Sequence, residues 1–204
     1  LTTFPQANAA PIFPIAYDMS NGERGAFGYF DSTYSGTGDV NTGLAELSGG
    51  TGELTDGVIP TTGWNVDSVP YVGWLSAAPT IRFHWERTAE IHGVTFSFFN
   101  SNGQGGVIAP QEITLTSGGQ TVTYSLPSSS PVGPLTIAMS ELELVGDYLD
   151  AQIVKGTGWV MLSEVTFEGV YVPEPRTAML LGWVSVYTLA TARRSRLAGM
   201  FRKR

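Results

Sequence analysis

The chain has 204 residues, 42% of them apolar, enough to bury one sizeable core with nothing in its length calling for a second large domain. It has no cysteine, which excludes disulfide staples and cysteine-based zinc or redox sites. The net charge of −7 hides an asymmetry. Up to Glu174 eighteen acidic residues face four basic ones, a balance of −14, whereas Arg193, Arg194, Arg196, Arg202, Lys203 and Arg204 crowd the end. A body so acidic repels phosphate backbones, so no nucleic-acid partner is expected.

Taken in chain order, Ala7-Asn8-Ala9 is a small-x-small triplet of the kind that ends a secretory leader, and residues 1–9 read as a signal-peptide remnant. From 26 to 172 short runs rich in Val, Ile, Thr and aromatic residues recur between Gly, Pro, Asn, Asp and Ser. They predict strands at 26–30, 80–85, 94–99, 112–116, 121–126, 135–139, 142–145, 151–154, 159–162 and 164–170. Polar and apolar residues alternate in 121–126 and 141–145, the pattern of strands with one face in a core and one in solvent. Val94, Phe96 and Phe98 should point to one side, and Thr95, Ser97 and Phe99 to the other. The predicted class is all-β, an antiparallel sandwich over 10–172, with loops at 101–106 and 127–134.

Residues 177–192 carry no charge and are followed by the basic cluster. A helix there would cover about 24 Å at ~1.5 Å per residue, short of a ~30 Å hydrocarbon core unless Arg176 and Arg193 snorkel. The flanking charge orients such a span with its C-terminus in the cytoplasm and the β domain outside. The expectation is therefore a single C-terminal transmembrane helix.

Val172-Pro173-Glu174-Pro175, the span, and then Arg193-Arg194-x-Arg196 together resemble the PEP-CTERM sorting signal, here 173–204 with a basic tail at 193–204. The resemblance implies recognition by an exosortase-type membrane protease in a Gram-negative, exopolysaccharide-producing bacterium. It also implies a membrane-anchored intermediate and then a cell-surface or extracellular protein. Pro173, Glu174, Pro175, Arg193, Arg194 and Arg196 would be the sorting residues. Tyr187 and the long tail after Arg194 depart from the usual pattern.

Leu54-Thr55-Asp56-Gly57, Thr62-Gly63-Trp64, Tyr71-Val72-Gly73-Trp74 and Leu162-Ser163-Glu164-Val165-Thr166-Phe167-Glu168-Gly169 resemble the landmarks of the galactose-binding-like jelly roll, over roughly 17–170. That superfamily includes discoidin domains and bacterial carbohydrate-binding modules. The resemblance implies a structural Ca2+ held by Asp56, Thr62 and Glu164 with the carbonyl of Leu54. Calcium takes six to eight oxygens, so these supply only part of a shell. Trp64, Trp74 and Trp159 are expected as core anchors rather than sugar platforms.

Signals for catalysis are thin. His84 and His92 are the only histidines, and no Gly-x-Ser-x-Gly elbow, His-Glu-x-x-His pair or phosphate loop occurs. Glu141 and Glu143 read as the exposed face of an edge strand rather than an acid and base pair. In the Asn100-Ser101-Asn102-Gly103-Gln104-Gly105-Gly106 loop, the amides of Asn100, Asn102 and Gln104 suit a hydroxyl-rich ligand, with Tyr34 and His92 as lesser candidates. The expected function is a non-catalytic, exported module that binds extracellular polysaccharide. The rivals are a purely structural matrix or biofilm protein and a glycan hydrolase.

Overall fold

The computed structural model describes residues 9–173. The expected span, the sorting residues from Glu174 onward and most of the expected leader lie outside them. Among the described residues no helix is long and apolar enough to cross a membrane.

Ten strands make up the domain: β1 (Ala10–Ile12), β2 (Ala16–Ser20), β3 (Glu46–Gly50), β4 (Val72–Trp74), β5 (Thr80–Asn100), β6 (Glu112–Ser117), β7 (Gln120–Ser125), β8 (Gly133–Met139), β9 (Leu144–Val154) and β10 (Val160–Tyr171). Every pairing between them is antiparallel. The hydrogen-bonded path runs β1-β10-β5-β9-β6-β7, with β2 and β8 joined to β5, β3 to β2 and β4 to β10.

β5 is the spine. Its first part, Thr80 to His84, lies between β2 and β9, and its last part, Val94 to Asn100, between β8 and β10. The sequence predicts two strands here, 80–85 and 94–99, with Glu86-Arg87-Thr88 falling between them. Instead the ladder to β9 shifts register between His84 and Ala89, and those three residues face solvent while the strand continues. The bulge absorbs the polar residues without ending the strand. Ile81, Phe83, Ile91, Val94, Phe96 and Phe98 then enter one core with Ile113 and Leu115 of β6, Leu149 and Ile153 of β9, and Val160, Leu162, Val165 and Phe167 of β10. Each such side chain contributes about 1.5–3 kcal/mol when fully buried. Val94, Phe96 and Phe98 share the core side as expected, while Phe99 packs against a second, smaller cluster of Tyr29, Tyr71, Val107, Trp159 and Met161.

A second bulge sets up the chemistry. Val160 and Leu162 face the main core, and so do Val165 and Phe167, three residues on rather than two. The ladder to β5 slips between Leu162 and Glu164, and the Ser163 hydroxyl donates to the Ser97 carbonyl at 3.0 Å. In a regular strand of these same residues the period of two would drive Glu164 and Thr166 into the apolar core.

Three expectations are corrected. The 26–30 run is not a strand: it is a loop with one isolated bridge, Arg24 to Gly28, whose Tyr29 plugs the smaller cluster. Glu141 and Glu143 are not on a strand but on the turn before β9, with Glu141 at φ 58°. The run at 142–145 joins that at 151–154 in one strand, β9, through Gly146 and Asp147. The sequence also conceals β1 to β4, which are three to five residues long and lack an alternating run.

Candidate functional site

At the end of β5 the chain enters the loop at 101–106. Asn100 is buried there, and its Nδ2 donates to the carbonyls of Ser130 at 3.1 Å and Pro131 at 2.9 Å. Its Oδ1 accepts the Asn102 N–H at 2.9 Å. Both amide hydrogens are thus spent on fastening the 127–132 loop to the 101–106 loop, and Asn100 also stands in the wall of a cleft beside these loops. Asn102, at φ 50°, and Gln104, which opens the 3-10 turn Gln104–Gly106, remain exposed.

Two clefts flank this pair of loops. One, of about 430 Å³, includes Asn102, Gln111, Ser128 and Ser130 in its wall over a floor of Ile108 and Pro110. The other, of about 370 Å³, is lined by Trp64, Phe99, Ser101, Gln104, Gly105 and Val132, with Asn65 at its edge. Trp64 is partly buried, in contrast to Trp74, sealed in the main core, and Trp159 in the smaller cluster. Its Nε1 donates to Ser101 Oγ at 3.0 Å, and Tyr29 meets its ring edge-on at 6.1 Å between centroids. Gly105 lies against the indole so closely that a Cβ there would sit 2.4 Å from the ring, and its φ of 62° also favours glycine. The indole is held on several sides before any ligand arrives, which lowers the entropy cost of using it as a platform.

The predicted metal residues divide. A buried network supports their loop: the Tyr17 hydroxyl donates to the Asp31 carboxylate, whose other oxygen accepts the Glu53 N–H at 3.0 Å. Burial raises the Asp31 pKa against the pull of the Tyr17 bond, and burial with the Asp31 charge raises that of Tyr17. The 3-10 turn Glu53–Thr55 held this way presents Asp56 and Gly57 to β10. Glu164 accepts the Gly57 N–H at 3.0 Å and lies within hydrogen-bonding reach of Asp56. Burial, and then the neighbouring Asp56 carboxylate, outweigh the Gly57 bond and push the Glu164 carboxyl up to about 8. Leu54 is fully buried, with its N–H facing the Tyr17 hydroxyl at 3.5 Å. Thr62 takes the Tyr71 hydroxyl on its carbonyl at 2.6 Å.

Asp56, Glu164 and Thr55 line one cavity of about 560 Å³ beside Ile12, Phe13 and Phe167, and Thr62 is not on its wall. Thr55 Oγ1 is buried without a partner. Among the described residues no three Asp, Glu, His or Cys side chains are gathered as a metal cage. Two carboxylates and an orphaned hydroxyl nonetheless form an all-oxygen donor set of the kind a hard cation takes, with the rest of its shell from carbonyls or water.

The remaining candidates are not on the walls of these two clefts. Tyr34 is buried, donates to the Tyr17 carbonyl and accepts the Gly50 N–H at 2.9 Å. His84 Nε2 lies 2.7 Å from Asp18, which also accepts Ser48 Oγ and the Gly49 N–H. Burial opposes ionisation of Asp18, but these bonds prevail and lower its pKa. His92 stands 3.9 Å from Glu90.

The chain is thus an antiparallel β domain with an uncharged, aromatic and amide-lined pair of clefts at one loop cluster. No family model and no curated protein matches its sequence. Among solved structures it is similar to "CBM32 of AlyQ in complex with 4,5-unsaturated mannuronic acid", at 13% identity over 78% of this chain and 97% of that one, with a TM-score of 0.46. It is similar also to an F5/8 type C domain from Bacteroides fragilis, at 13% identity over 82% and 100%, TM-score 0.45. A third is the C-terminal domain of a chitobiase from Bacteroides fragilis, at 14% identity over 80% and 100%, TM-score 0.46. Similarity of this degree assigns neither ligand nor activity.

Proposed function

We propose that the β domain is a non-catalytic carbohydrate-binding module whose site is the cleft pair around the 101–106 loop. The observation that carries this reading is the Trp64 indole, pinned by Ser101, Gly105 and Tyr29 and left partly open beside Gln104 and Asn65. An aromatic face takes the C–H face of a sugar ring, and amides and hydroxyls take its hydroxyls in both donor and acceptor roles. Among the described residues the walls of the two clefts supply no carboxylate, imidazole or thiol to move a proton, which favours binding over hydrolysis.

The same proposal includes a structural calcium between the Asp56 turn and β10, held by Asp56 and Glu164 with the Thr55 hydroxyl. Calcium would cancel the repulsion between the two carboxylates and tie the early part of the domain to its last strand. It also includes export and sorting: the Pro-Glu-Pro segment, uncharged stretch and basic end support recognition by an exosortase-type protease and delivery to the cell surface.

Affinity electrophoresis of the protein through gels containing extracellular polysaccharides tests the binding reading. Retardation that Trp64→Ala abolishes supports it; equal migration of both proteins in every gel favours a structural matrix role. Mass determination of the native protein's C-terminus, with its cell fraction, tests sorting. A cytosolic product still ending at Arg204 contradicts it.

A further inference from the structure

Resting on that reading of the site, we infer that the two clefts are adjoining subsites of one groove, built for a stretch of neutral oligosaccharide that crosses the 101–104 ridge rather than for a single terminal sugar. The two walls are shared. On one loop Ser101 and Gln104 face the Trp64 cleft, while Asn102 faces the other. On the opposite loop Val132 faces the Trp64 cleft, while Ser128 and Ser130 face the other. Neighbouring residues of the 101–104 segment therefore serve opposite clefts, the other loop gives Ser128 and Ser130 to one and Val132 to the other, and Asn100 clamps the loops together through Ser130 and Pro131. Each cleft has a volume in the range of a small-ligand site. They differ in chemistry: one offers the aromatic face, the other amide and hydroxyl groups. A chain of linked sugars uses both, with one unit seated on Trp64 and a neighbour held by Asn102, Gln111 and Ser128.

Charge narrows the ligand. Among the described residues no charged side chain lines either cleft. Of the four cationic side chains among the described residues, Arg82 is paired bidentately with Asp150 and Lys155 Nζ is bonded to the carbonyls of Leu75, Gly156 and Gly158. Arg24 lies over Phe30 and Arg87 over Tyr171, both away from the cleft walls. A uronate or sulfate group in the groove would be desolvated with no cation to meet it, and the acidic body would repel a polyanion at long range.

The test is calorimetric titration of the full chain with neutral and acidic saccharides, from monosaccharides to hexasaccharides, repeated for Gln111→Ala, Ser128→Ala and Trp64→Ala. The inference predicts binding of a neutral oligosaccharide at least tenfold tighter than its monosaccharide and insensitive to added salt. Gln111→Ala and Ser128→Ala, both exposed sites, should erase the gain with length at an unchanged melting temperature, whereas Trp64→Ala weakens both ligands. Equal affinity for monosaccharide and hexasaccharide overturns the two-subsite groove while leaving the binding module intact. Preference for uronates or sulfated sugars overturns its neutrality. Failure of the folded protein to bind any saccharide overturns the inference and the proposed function together.

Discussion

The Gly57 N–H donates to the Glu164 carboxylate at 3.0 Å across 107 residues of sequence, with Asp56 beside the same carboxyl. The contact closes a long loop, yet its ionised form is penalised by burial and by Asp56, which holds the Glu164 pKa near 8. The folded chain therefore binds more protons than the unfolded one between the ordinary glutamate pKa and about 8. Stability contributed by the neutral carboxyl is complete below that window and declines as pH rises through it. In chelator, the melting temperature should fall from pH 5 to pH 8, and Glu164→Gln should flatten the fall. Part of the slope should survive in the variant because Asp31 and Glu53 are raised in the same direction by burial. An identical slope in the variant would place the effect elsewhere.

Calcium should reverse the penalty at its source. With dissociation constants on the order of 0.1–1 mM, millimolar calcium stabilises by about 0.4–1.4 kcal/mol, a shift of a few degrees. The gain should be larger at pH 8 than at pH 5, because a proton competes for Glu164. Differential scanning calorimetry with chelator and with calcium measures it. Asp56→Ala and Glu164→Ala should each abolish the shift, and Thr55→Val should reduce it. A full calcium response in either carboxylate variant removes the site.

Asn100→Ala deletes three hydrogen bonds and leaves the Ser130 and Pro131 carbonyls unpaired. The expected loss is about 1–3 kcal/mol, read as a lower midpoint in urea unfolding. Saccharide affinity should fall with it, because the clamp between the two loops is gone. A variant with unchanged midpoint and affinity would show that the amide does not set the loop geometry.

Gly105→Ala adds a methyl group 2.4 Å from the Trp64 ring at a backbone φ of 62°. The left-handed backbone costs about 1 kcal/mol, and the indole must move or the turn must open. Binding should weaken at least tenfold with a small change in melting temperature. Parental affinity in this variant would mean that the ring's position does not matter.

Much of the fold was legible because alternating runs report directly on a half-buried strand, as in β6; β7 carries the same alternation yet stays exposed, with only Val122 packed against the core, because it lies at the edge of the sheet. The two bulges were not. A bulge is a local surplus of residues on one strand of a ladder, and nothing in Trp85-Glu86-Arg87-Thr88 or around Ser163 marks it until the pairing partner is known. The same holds for the site. Glu164 and Asp56 were readable as a pair only through a family pattern, since their meeting depends on the Ser163 bulge and on the Asp31 network beneath the turn. Asn100 was readable as an amide in a loop, but its partners, the carbonyls of Ser130 and Pro131, carry no side-chain signal. Trp64 packs on the smaller cluster as composition suggests for tryptophan, but that its ring is also left partly open beside a cleft could not be read before the 101–106 loop was placed.

Among the four tryptophans of the described residues, Trp64 alone lines the proposed groove, while Trp74 and Trp159 serve as internal references in the two cores. The most direct test is an NMR titration of the indole N–H signals of ¹⁵N-tryptophan-labelled protein with a neutral oligosaccharide found by the calorimetric survey. The account predicts that the Trp64 signal, whose N–H is bonded to Ser101, shifts in proportion to occupancy while those of Trp74 and Trp159 stay fixed. A bound saccharide that leaves the Trp64 signal in place, or moves a buried tryptophan instead, would contradict it.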